Sequence, residues 1–539
     1  MNQVNRMRLI AGAAALLITL GVPSSGQSAK RAKQIKTEPA AGAVAQSKPE
    51  SVDLEFITRL REEEFRHSKV MDIMGSLTDD IGPRLTGSPN MKKANEWTRD
   101  ELTKYGLANA HIEPWGTFGR GWQYQFASVR MTSPDYMQFL ALPEAWTAGT
   151  SGPVKAEVVH VVVTSAADFD KYRGKLAGKI VALGDARIPD PIDKPLFRRD
   201  TQEDLDKIAE YEIPGERPAR NMQEFIQRIK LQKELNQFLM EEKVAAVLKP
   251  TRQPGDGGTI FVQSGGSYTP GDPEGVPSVV LAVEHFGRVA RLVDKGKRVE
   301  VEVNVQANFI NDDTKAYNTI AEIPGTDPNL KQQIVMLGGH MDSWHGGEGA
   351  TDNAAGVSVA MEAVRLLKQL NVQPRRTIRV ALWSGEEEGL YGSRGYVSEH
   401  FGGRPESTDP KVKALPSFLR PPAGPLQLKP EQKLISAYFN LDNGTGKIRG
   451  VYLQENERVR PIFEAWMKPF RDLGMTTLSA RNTGSTDHIS FDAVGIPGFQ
   501  FIQDPMDYST QTHHSNLDVY ERTHPEDLKQ AALIMASFV

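Results

Sequence analysis

Hydrophobic residues in the second half of the chain alternate between short apolar runs and longer amphipathic segments. Runs at residues 317–323, 334–337, 377–383 and 434–441 are typical of buried strands. The segments between them have the spacing of helices. Strands that alternate with helices in this way predict an α/β fold with a mixed, mostly parallel sheet sandwiched by helices.

The first half of the chain gives a different pattern. Residues 53–77 and 89–105 have helical spacing, and residues 115–131 are typical of strand material. Residues 298–309, RVEVEVNVQANF, alternate strictly and predict a strand with one solvent-facing side. Short β runs surround a charged helical stretch between residues 151 and 284. We predict a β-rich inserted domain there, with an ordinary β-rich core as the alternative.

The N-terminus has the pattern of a secretory signal. Two arginines precede an apolar run over residues 9–22, and Ser-Ser-Gly follows as a small-residue cleavage site. We predict a signal peptide over residues 1–26, a disordered leader over 27–50, and an exported protein, periplasmic or extracellular. An uncleaved anchor is the alternative, although the apolar run is short for a membrane span.

Composition narrows the chemistry. Of 539 residues, 39% are hydrophobic and 24% are charged, which suits a soluble globular protein with a sizeable core. The net charge of -4, without a long basic run, favours neither nucleic acid nor a membrane surface as a partner. The chain has no cysteine, so thiol nucleophiles and cysteine-bound zinc are excluded. Any metal must be held by histidines and carboxylates.

Such residues follow the predicted strands. His340 and Asp342 come directly after one strand and two glycines, and Asp352 precedes the next helical segment. In an open α/β sheet this edge is where ligands bind. Asp342 could orient the His340 imidazole. For this segment alone, a helix-capping Asp352 and an ordinary loop histidine are the alternative.

Three further segments add to this edge. Adjacent Glu386 and Glu387 follow the strand at 377–383, and their side chains leave in different directions. One could bind a metal while the other serves as the general base for a water. Asp442 follows the strand at 434–441, and His514 lies in a loop before the last helix.

The predicted ligands are too many for one catalytic zinc with an open coordination position. They suit two ions about 3.5–4 Å apart that share one bridging carboxylate. Asp352 is the expected bridge because it is central in the order and begins a helical segment. The complete predicted set is His340, Asp352, Glu387, Asp442 and His514.

The motifs GGHMDSW, GATDNAAG, WSGEEEGLYGS, NLDNGTG and HHSNLD occur in this order. With them, the chain resembles the zinc exopeptidase family of bacterial leucyl aminopeptidases, glutamate carboxypeptidase and carboxypeptidase Q. The resemblance implies two zinc ions per chain in a peptidase domain formed by residues 51–150 and 285–539. It also implies that Glu386 is the general base and that Asp342 is the acid beside His340. The insertion at 151–284 resembles a protease-associated domain, notably in GKLAGKIVAL.

The resemblance implies hydrolysis of terminal peptide bonds in peptides or dipeptides, but it leaves the chain end open. Many members have a tyrosine directly before the last ligand, where this chain has His513. Either His513 or Tyr508 is therefore expected to stabilise the oxyanion. A receptor-like homologue without activity and a single-metal amidase or deacetylase are the alternative functions. A homodimer is compatible with the sequence, and Arg84 in the loop IGPRLTGS is expected to make a local ion pair rather than face a cleft.

Overall fold

In this computed structural model, the strands of the described residues form two eight-stranded sheets and one two-stranded sheet. The structure describes residues 50–539 except 212–221, 253–254, 414–419 and 422. The predicted signal peptide and nearly all of the leader lie outside the described residues. None of the described helices is both long enough and apolar enough to cross a membrane.

The helices are α1 (Leu54–His67), α2 (Val70–Gly75), α3 (Pro89–Lys104), α4 (Gln202–Ala209), α5 (Met222–Glu241), α6 (Val283–Asp294), α7 (Ala355–Gln369), α8 (Tyr391–His400), α9 (Pro410–Lys413), α10 (Arg460–Met467), α11 (His488–Asp492) and α12 (Pro525–Phe538). The strands are β1 (Ala108–Thr117), β2 (Gly121–Ser133), β3 (Met137–Gln138), β4 (Ala141–Pro143), β5 (Val154–Val161), β6 (Ile180–Leu183), β7 (Ala246–Pro250), β8 (Ser278–Leu281), β9 (Glu300–Ile310), β10 (Lys315–Ile323), β11 (Ile334–His340), β12 (Thr377–Trp383), β13 (Gly402–Gly403), β14 (Gln427–Leu428), β15 (Ile435–Asn440), β16 (Ile448–Tyr452), β17 (Thr477–Ser479) and β18 (Gly498–Gln503).

The first sheet has the strand order β1-β10-β12-β11-β15-β18-β16-β17. Its central strands β12, β11, β15 and β18 run parallel, whereas β1, β10 and β16 pair antiparallel with their neighbours. The predicted mixed, mostly parallel sheet is therefore confirmed. Each face of this sheet is covered by helices and has its own apolar core.

Alternating residues of the central strands supply these two cores. Leu337 of β11 packs into the core that contains α7 and α12. Met336, its neighbour on the same strand, faces the opposite core with Trp383 and Tyr438. Because successive side chains of a strand point to opposite faces, strands buried on both sides read as continuous apolar runs. This is the pattern that made these strands recognisable in the sequence.

The register of the parallel strands sets the height of the loops that follow them. His340 at the end of β11 pairs with Trp383 at the end of β12. On the other side of β11, Gly338 pairs with Asn440 at the end of β15. A Cβ atom at Gly338 would lie 1.9 Å from the carbonyl oxygen of Ala381, so only glycine permits this close strand pairing. The residues after all three strands therefore emerge at one edge.

The second sheet has the order β3-β2-β9-β5-β6-β7-β8-β4. It contains the short β runs predicted between residues 151 and 284, and also strands β2, β3, β4 and β9 from outside that range. Both sheets belong to one compact unit, Glu50–Val539. An independent inserted domain with the boundaries 151–284 stays a prediction.

The helix predicted over residues 53–77 is divided in the structure. Helix α1 ends at His67, and Ser68 adopts φ -55° and ψ 139°, which is not helical. The Ser68 hydroxyl accepts a hydrogen bond from the Val70 amide, and the Lys69 amide donates to the Glu362 carboxylate on α7. These alternative partners for backbone groups explain why helical spacing alone missed the break.

Candidate metal centre

The loop after β11 carries the first predicted site residues. His340 is the last residue of β11 and is 1% exposed. Asp352 lies in a single turn over Ala350–Ala354, with φ -132° and ψ 86°. Helix α7 begins three residues later at Ala355. The expectation that Asp352 begins a helix is therefore wrong in detail, because its backbone is extended and turns its side chain toward the end of β11.

The five predicted ligands are brought together as two overlapping groups. His340 Nε2 lies 3.3 Å from Asp352 Oδ1 and 3.4 Å from Asp442 Oδ1. His514 Nε2 lies 3.1 Å from Asp352 Oδ2 and 2.8 Å from Glu387 Oε2. Asp352 is the member common to both groups, with one carboxylate oxygen directed to each histidine.

The chemistry of this donor set fits divalent zinc. Ligand atoms of His340, Asp352 and Glu387 lie within 4.8 Å of one another, and the same holds for Asp352, His513 and His514. Within the described part of the chain, Asp352 Oδ2 and Glu387 Oε1 are buried and have no well-aligned hydrogen-bond donor. Buried carboxylates without donors are costly unless a cation neutralises them. Imidazole and carboxylate groups in this arrangement are ordinary zinc ligands.

Asp342 links the β11 loop to the loop after β12. Its backbone carbonyl lies 3.0 Å from His340 Nδ1, and its Oδ1 lies 3.6 Å from the same nitrogen. Its Oδ2 accepts hydrogen bonds from the Thr86 hydroxyl and the Glu387 amide, both at 3.1 Å. Asp342 therefore orients the His340 ring and at the same time fixes the backbone of Glu387.

Glu386 lies beside this group and is half-buried. Burial raises its pKa well above the ordinary value, and the nearby carboxylates of Asp442 and Asp487 raise it further, while the His340 charge opposes them. A carboxylate in such a setting has a higher proton affinity than an exposed glutamate. Its position and its chemistry suit proton transfer to and from a water in the site.

His513 and Tyr508 differ in their access to the site. The His513 side chain is 40% exposed, and its Nε2 lies 3.8 Å from Asp352 Oδ2. Tyr508 is buried, with its ring centroid 4.8 Å from that of His513. Partial desolvation of its ring lowers the pKa of His513 to about 4, which keeps its imidazole neutral at pH 7. A neutral imidazole can still donate one N–H to an oxyanion.

The expectation of a local ion pair at Arg84 is wrong, although the guanidinium does donate locally to the carbonyls of Leu77 and Gly82, both at 3.1 Å. Arg84 is fully buried, and no carboxylate of the described residues lies within ion-pair distance of its guanidinium. The group donates instead to the carbonyls of Met341 and Gly349, both at 2.7 Å, and of Glu348 at 2.9 Å. These acceptors belong to the loop that joins His340 to Asp352. Only long-range contacts reveal this role.

Asp487 is a further acid, and the sequence alone predicted no role for it. It is fully buried at the start of α11, and both of its carboxylate oxygens lack a partner among the described residues. Burial raises its pKa to about 7, with His340 opposing and Asp342 and Asp442 adding to the increase. The sequence signal was the adjacent pair Asp487 and His488, but its spacing from the other motifs did not indicate that it belongs to the site.

The chain is similar to known peptidases in sequence and in fold. The sequence model of peptidase family M28 matches residues 318–539. Carboxypeptidase Q of Pongo abelii is 26% identical over 464 residues, which cover 85% of this chain and 82% of that protein. A peptidase M28 precursor from Shewanella amazonensis has a similar fold, with a TM-score of 0.61 at 22% identity over 90% of this chain and 95% of the other. The zinc aminopeptidase BSAP from Bacillus subtilis gives a TM-score of 0.52 at 19% identity over 87% and 92%.

Proposed function

We propose that this chain is an exported exopeptidase that uses two zinc ions. Its residues 318–539 belong to peptidase family M28, and it is a zinc metallopeptidase. Its substrates are the terminal peptide bonds of peptides or dipeptides. One observation carries the proposal: Asp352 lies between His340 and His514, at 3.3 Å and 3.1 Å from their Nε2 atoms through different carboxylate oxygens.

In this proposal each half of the site would hold one ion. His340 and Asp442 would hold one of them, Glu387 and His514 would hold the other, and Asp352 would contribute to both. When bound, the ions would supply Lewis-acid polarisation of the scissile carbonyl and a lower pKa for a shared water. The short distances between these buried acids and imidazoles support this assignment.

The remaining roles fall to residues around the ligands. Glu386 accepts a proton from the attacking water and returns it to the leaving amine, as general acid–base catalysis requires. Asp342 holds the His340 ring in place, and the neutral N–H of His513 is directed toward the oxyanion. The half-buried position of Glu386 beside a ligand supports its role, since a base must be within reach of the reacting water.

The experiment combines metal counting with a matched set of substrates. The purified full chain is analysed for zinc, then assayed on an unblocked dipeptide, an amino-blocked dipeptide and a free-amino chromogenic amino-acid amide, with and without chelator. We expect two zinc ions per chain and hydrolysis that chelator abolishes and zinc restores. One tight ion would instead indicate the amidase class, and intact protein without turnover would indicate a receptor-like homologue.

A histidine outside the site provides the control. His160 on β5 bonds to Asp294 at 2.8 Å, far in the sequence from the proposed ligands. The variant His160→Gln should keep both ions and full turnover.

Cleavage of the amide but not of the amino-blocked dipeptide identifies an aminopeptidase, and the reverse identifies a carboxypeptidase.

Export has a separate test. The chain expressed with its first 26 residues should appear outside the cytoplasm with a new N-terminus near Gly26. Full-length protein retained in the membrane fraction would favour the uncleaved anchor.

A further inference from the structure

The side-chain amide nitrogen of Gln263 lies 2.9 Å from Nδ1 of His514. The other ring nitrogen of His514 faces Asp352 and Glu387. Gln263 comes from the predicted insertion at 151–284, whereas His514 lies more than two hundred residues later, in the loop before α12. The loop between β7 and β8 thus reaches the back of a proposed zinc ligand.

The contact is part of a longer backbone pairing between the two segments. The Val262 amide donates to the His514 carbonyl at 3.1 Å, and the Asn516 amide donates to the Ile260 carbonyl at 3.0 Å. Between them, Phe261 and Ser515 form an antiparallel bridge. This isolated bridge and its flanking hydrogen bonds hold the loop before α12 against residues 260–263.

The paired segment is anchored firmly on the side of the second sheet. Ile260 and Val262 are 2% and 1% exposed and pack with Val280 and Ala282. Sites supported by buried, packed elements hold their geometry better than sites on free loops. The support for His514 is therefore a small apolar cluster that ties the loop between β7 and β8 to the second sheet.

The backbone of His514 itself requires such support. Its φ is 62°, in the left-handed region that residues other than glycine rarely adopt. A non-glycine residue stays there only where its surroundings over-determine the conformation. The Val262 hydrogen bond and the Gln263 amide constrain the main chain and the side chain of this residue, respectively.

We propose that Gln263 is a positioning residue that orients the His514 imidazole for zinc, so that the ion held by Asp352, Glu387 and His514 depends on the loop between β7 and β8. This inference rests on the two-zinc function proposed above. With Nε2 directed to the metal, Nδ1 carries the proton and donates a hydrogen bond to the amide oxygen of Gln263. The amide presents this oxygen to Nδ1 after a half-turn about its last side-chain bond. The ion held by His340, Asp352 and Asp442 has no such dependence.

The test compares variants of Gln263 by metal binding as well as by activity. Gln263→Leu and Gln263→Met remove the acceptor at similar volume, and Gln263→Glu keeps one. In Gln263→Leu we expect one ion to stay tightly bound and the other to weaken roughly 10- to 100-fold, the usual cost of losing such a partner. The affinity is measured by zinc titration against a competing chelator, and the absorption spectrum of the cobalt form gives a second readout.

Rescue separates positioning from simple packing. Gln263→Glu should return the affinity of the weakened ion close to that of the wild type, because a carboxylate accepts the Nδ1 proton. The neighbouring variant Ser264→Ala, which removes an exposed hydroxyl bonded to Gly266, should leave both ions unchanged. Gln263→Met serves in the same way as Gln263→Leu if the latter does not fold.

Several outcomes would overturn the inference. Wild-type binding of both ions in Gln263→Leu or Gln263→Met contradicts it, as does an equal loss of both ions or a failure of Gln263→Glu to restore the weaker one. These results are distinct from failure of the proposed function, in which the wild-type chain itself would bind fewer than two ions.

Discussion

His514 Nε2 lies 2.8 Å from Oε2 of Glu387, although one residue follows β12 and the other lies in the loop before α12. The two residues are far apart in the sequence, so local sequence does not place them side by side at the sheet edge. Their contact is produced by the parallel register of the central strands and by the return of the chain before its last helix. It is the contact on which one half of the proposed metal site depends.

The general base can be tested without disturbing the ligands. In Glu386→Gln the side chain keeps its size and loses its ability to accept a proton. We expect unchanged zinc content and a kcat lower by roughly 100- to 10,000-fold, with little change in KM. Turnover near the wild-type rate would remove Glu386 from the mechanism, and Glu399→Gln, an exposed residue of α8, is the control.

The shared carboxylate should affect both ions at once. Asp352→Asn keeps the shape of the side chain but removes its charge, and both histidine groups lose a common ligand. We expect both zinc ions to weaken together in a chelator titration and activity to fall with them. As a control, Asp313→Asn changes an exposed acid paired with Lys92 at 3.2 Å and should retain both ions. Loss of a single ion in Asp352→Asn would argue against a bridge.

The oxyanion donor can be assigned by two substitutions. His513 is more exposed toward the site than Tyr508, which is packed among buried groups. His513→Ala should lower kcat by about 100- to 1,000-fold, as loss of one oxyanion donor does. Tyr508→Phe, which removes only the hydroxyl, should change kcat little. The reverse order of the two effects, measured under saturating substrate, would transfer the role to Tyr508.

Arg84 should support the fold of the loop that joins His340 to Asp352. Arg84→Lys retains the charge but leaves several buried carbonyls without their donors, and each such loss costs about 1–3 kcal/mol. We expect a lower free energy of unfolding in denaturant titration, together with faster loss of zinc to chelator. Arg120→Lys, at a second buried arginine that packs over Phe309, should lower stability without changing zinc release. Equal zinc release in the two variants would limit Arg84 to a general role in stability.

A buried acid on α1 should give stability a pH dependence. Burial raises the pKa of Glu64 to about 9 from 4.5, and the neighbouring Glu362 carboxylate adds to the increase. A carboxyl whose pKa is higher in the folded state takes up a proton on folding, so the free energy of unfolding falls as pH rises from about 4.5 to about 9. Glu64→Gln mimics the protonated form and should lose this dependence.

The measurement is the Tm of both proteins from about pH 5 to about pH 9 in the same metal-loaded state. This range lies between the pKa of Glu64 in the unfolded protein and its pKa in the folded protein. The Tm of Glu64→Gln relative to the wild type should increase with pH. Glu62→Gln, at an exposed residue of the same helix that pairs with Arg66, should follow the wild type throughout. Parallel curves for Glu64→Gln and the wild type would show that Glu64 is ionised in the folded protein.

Much of the catalytic sheet could be predicted because its signals are local. The strand predicted at 377–383 is the observed β12, and the helix predicted at 89–105 is α3 to within one residue. Helical spacing could not reveal the break at Ser68, which depends on Glu362 of a distant helix. Local sequence patterns also could not show that β2 and β9 belong to the second sheet, because their partner strands lie far away in the sequence.

The sequence by itself determined which side chains are available for chemistry and that they follow buried strands, because strand periodicity and residue type are properties of short segments. Only the tertiary structure decided that Asp352 lies between His340 and His514, that Arg84 donates to the loop between His340 and Asp352, and that Gln263 lies beside Nδ1 of His514. These contacts join segments that are brought together by sheet register and loop packing. Hydrogen bonds and metal ligation act over a few ångströms, so their partners are fixed in space rather than along the chain.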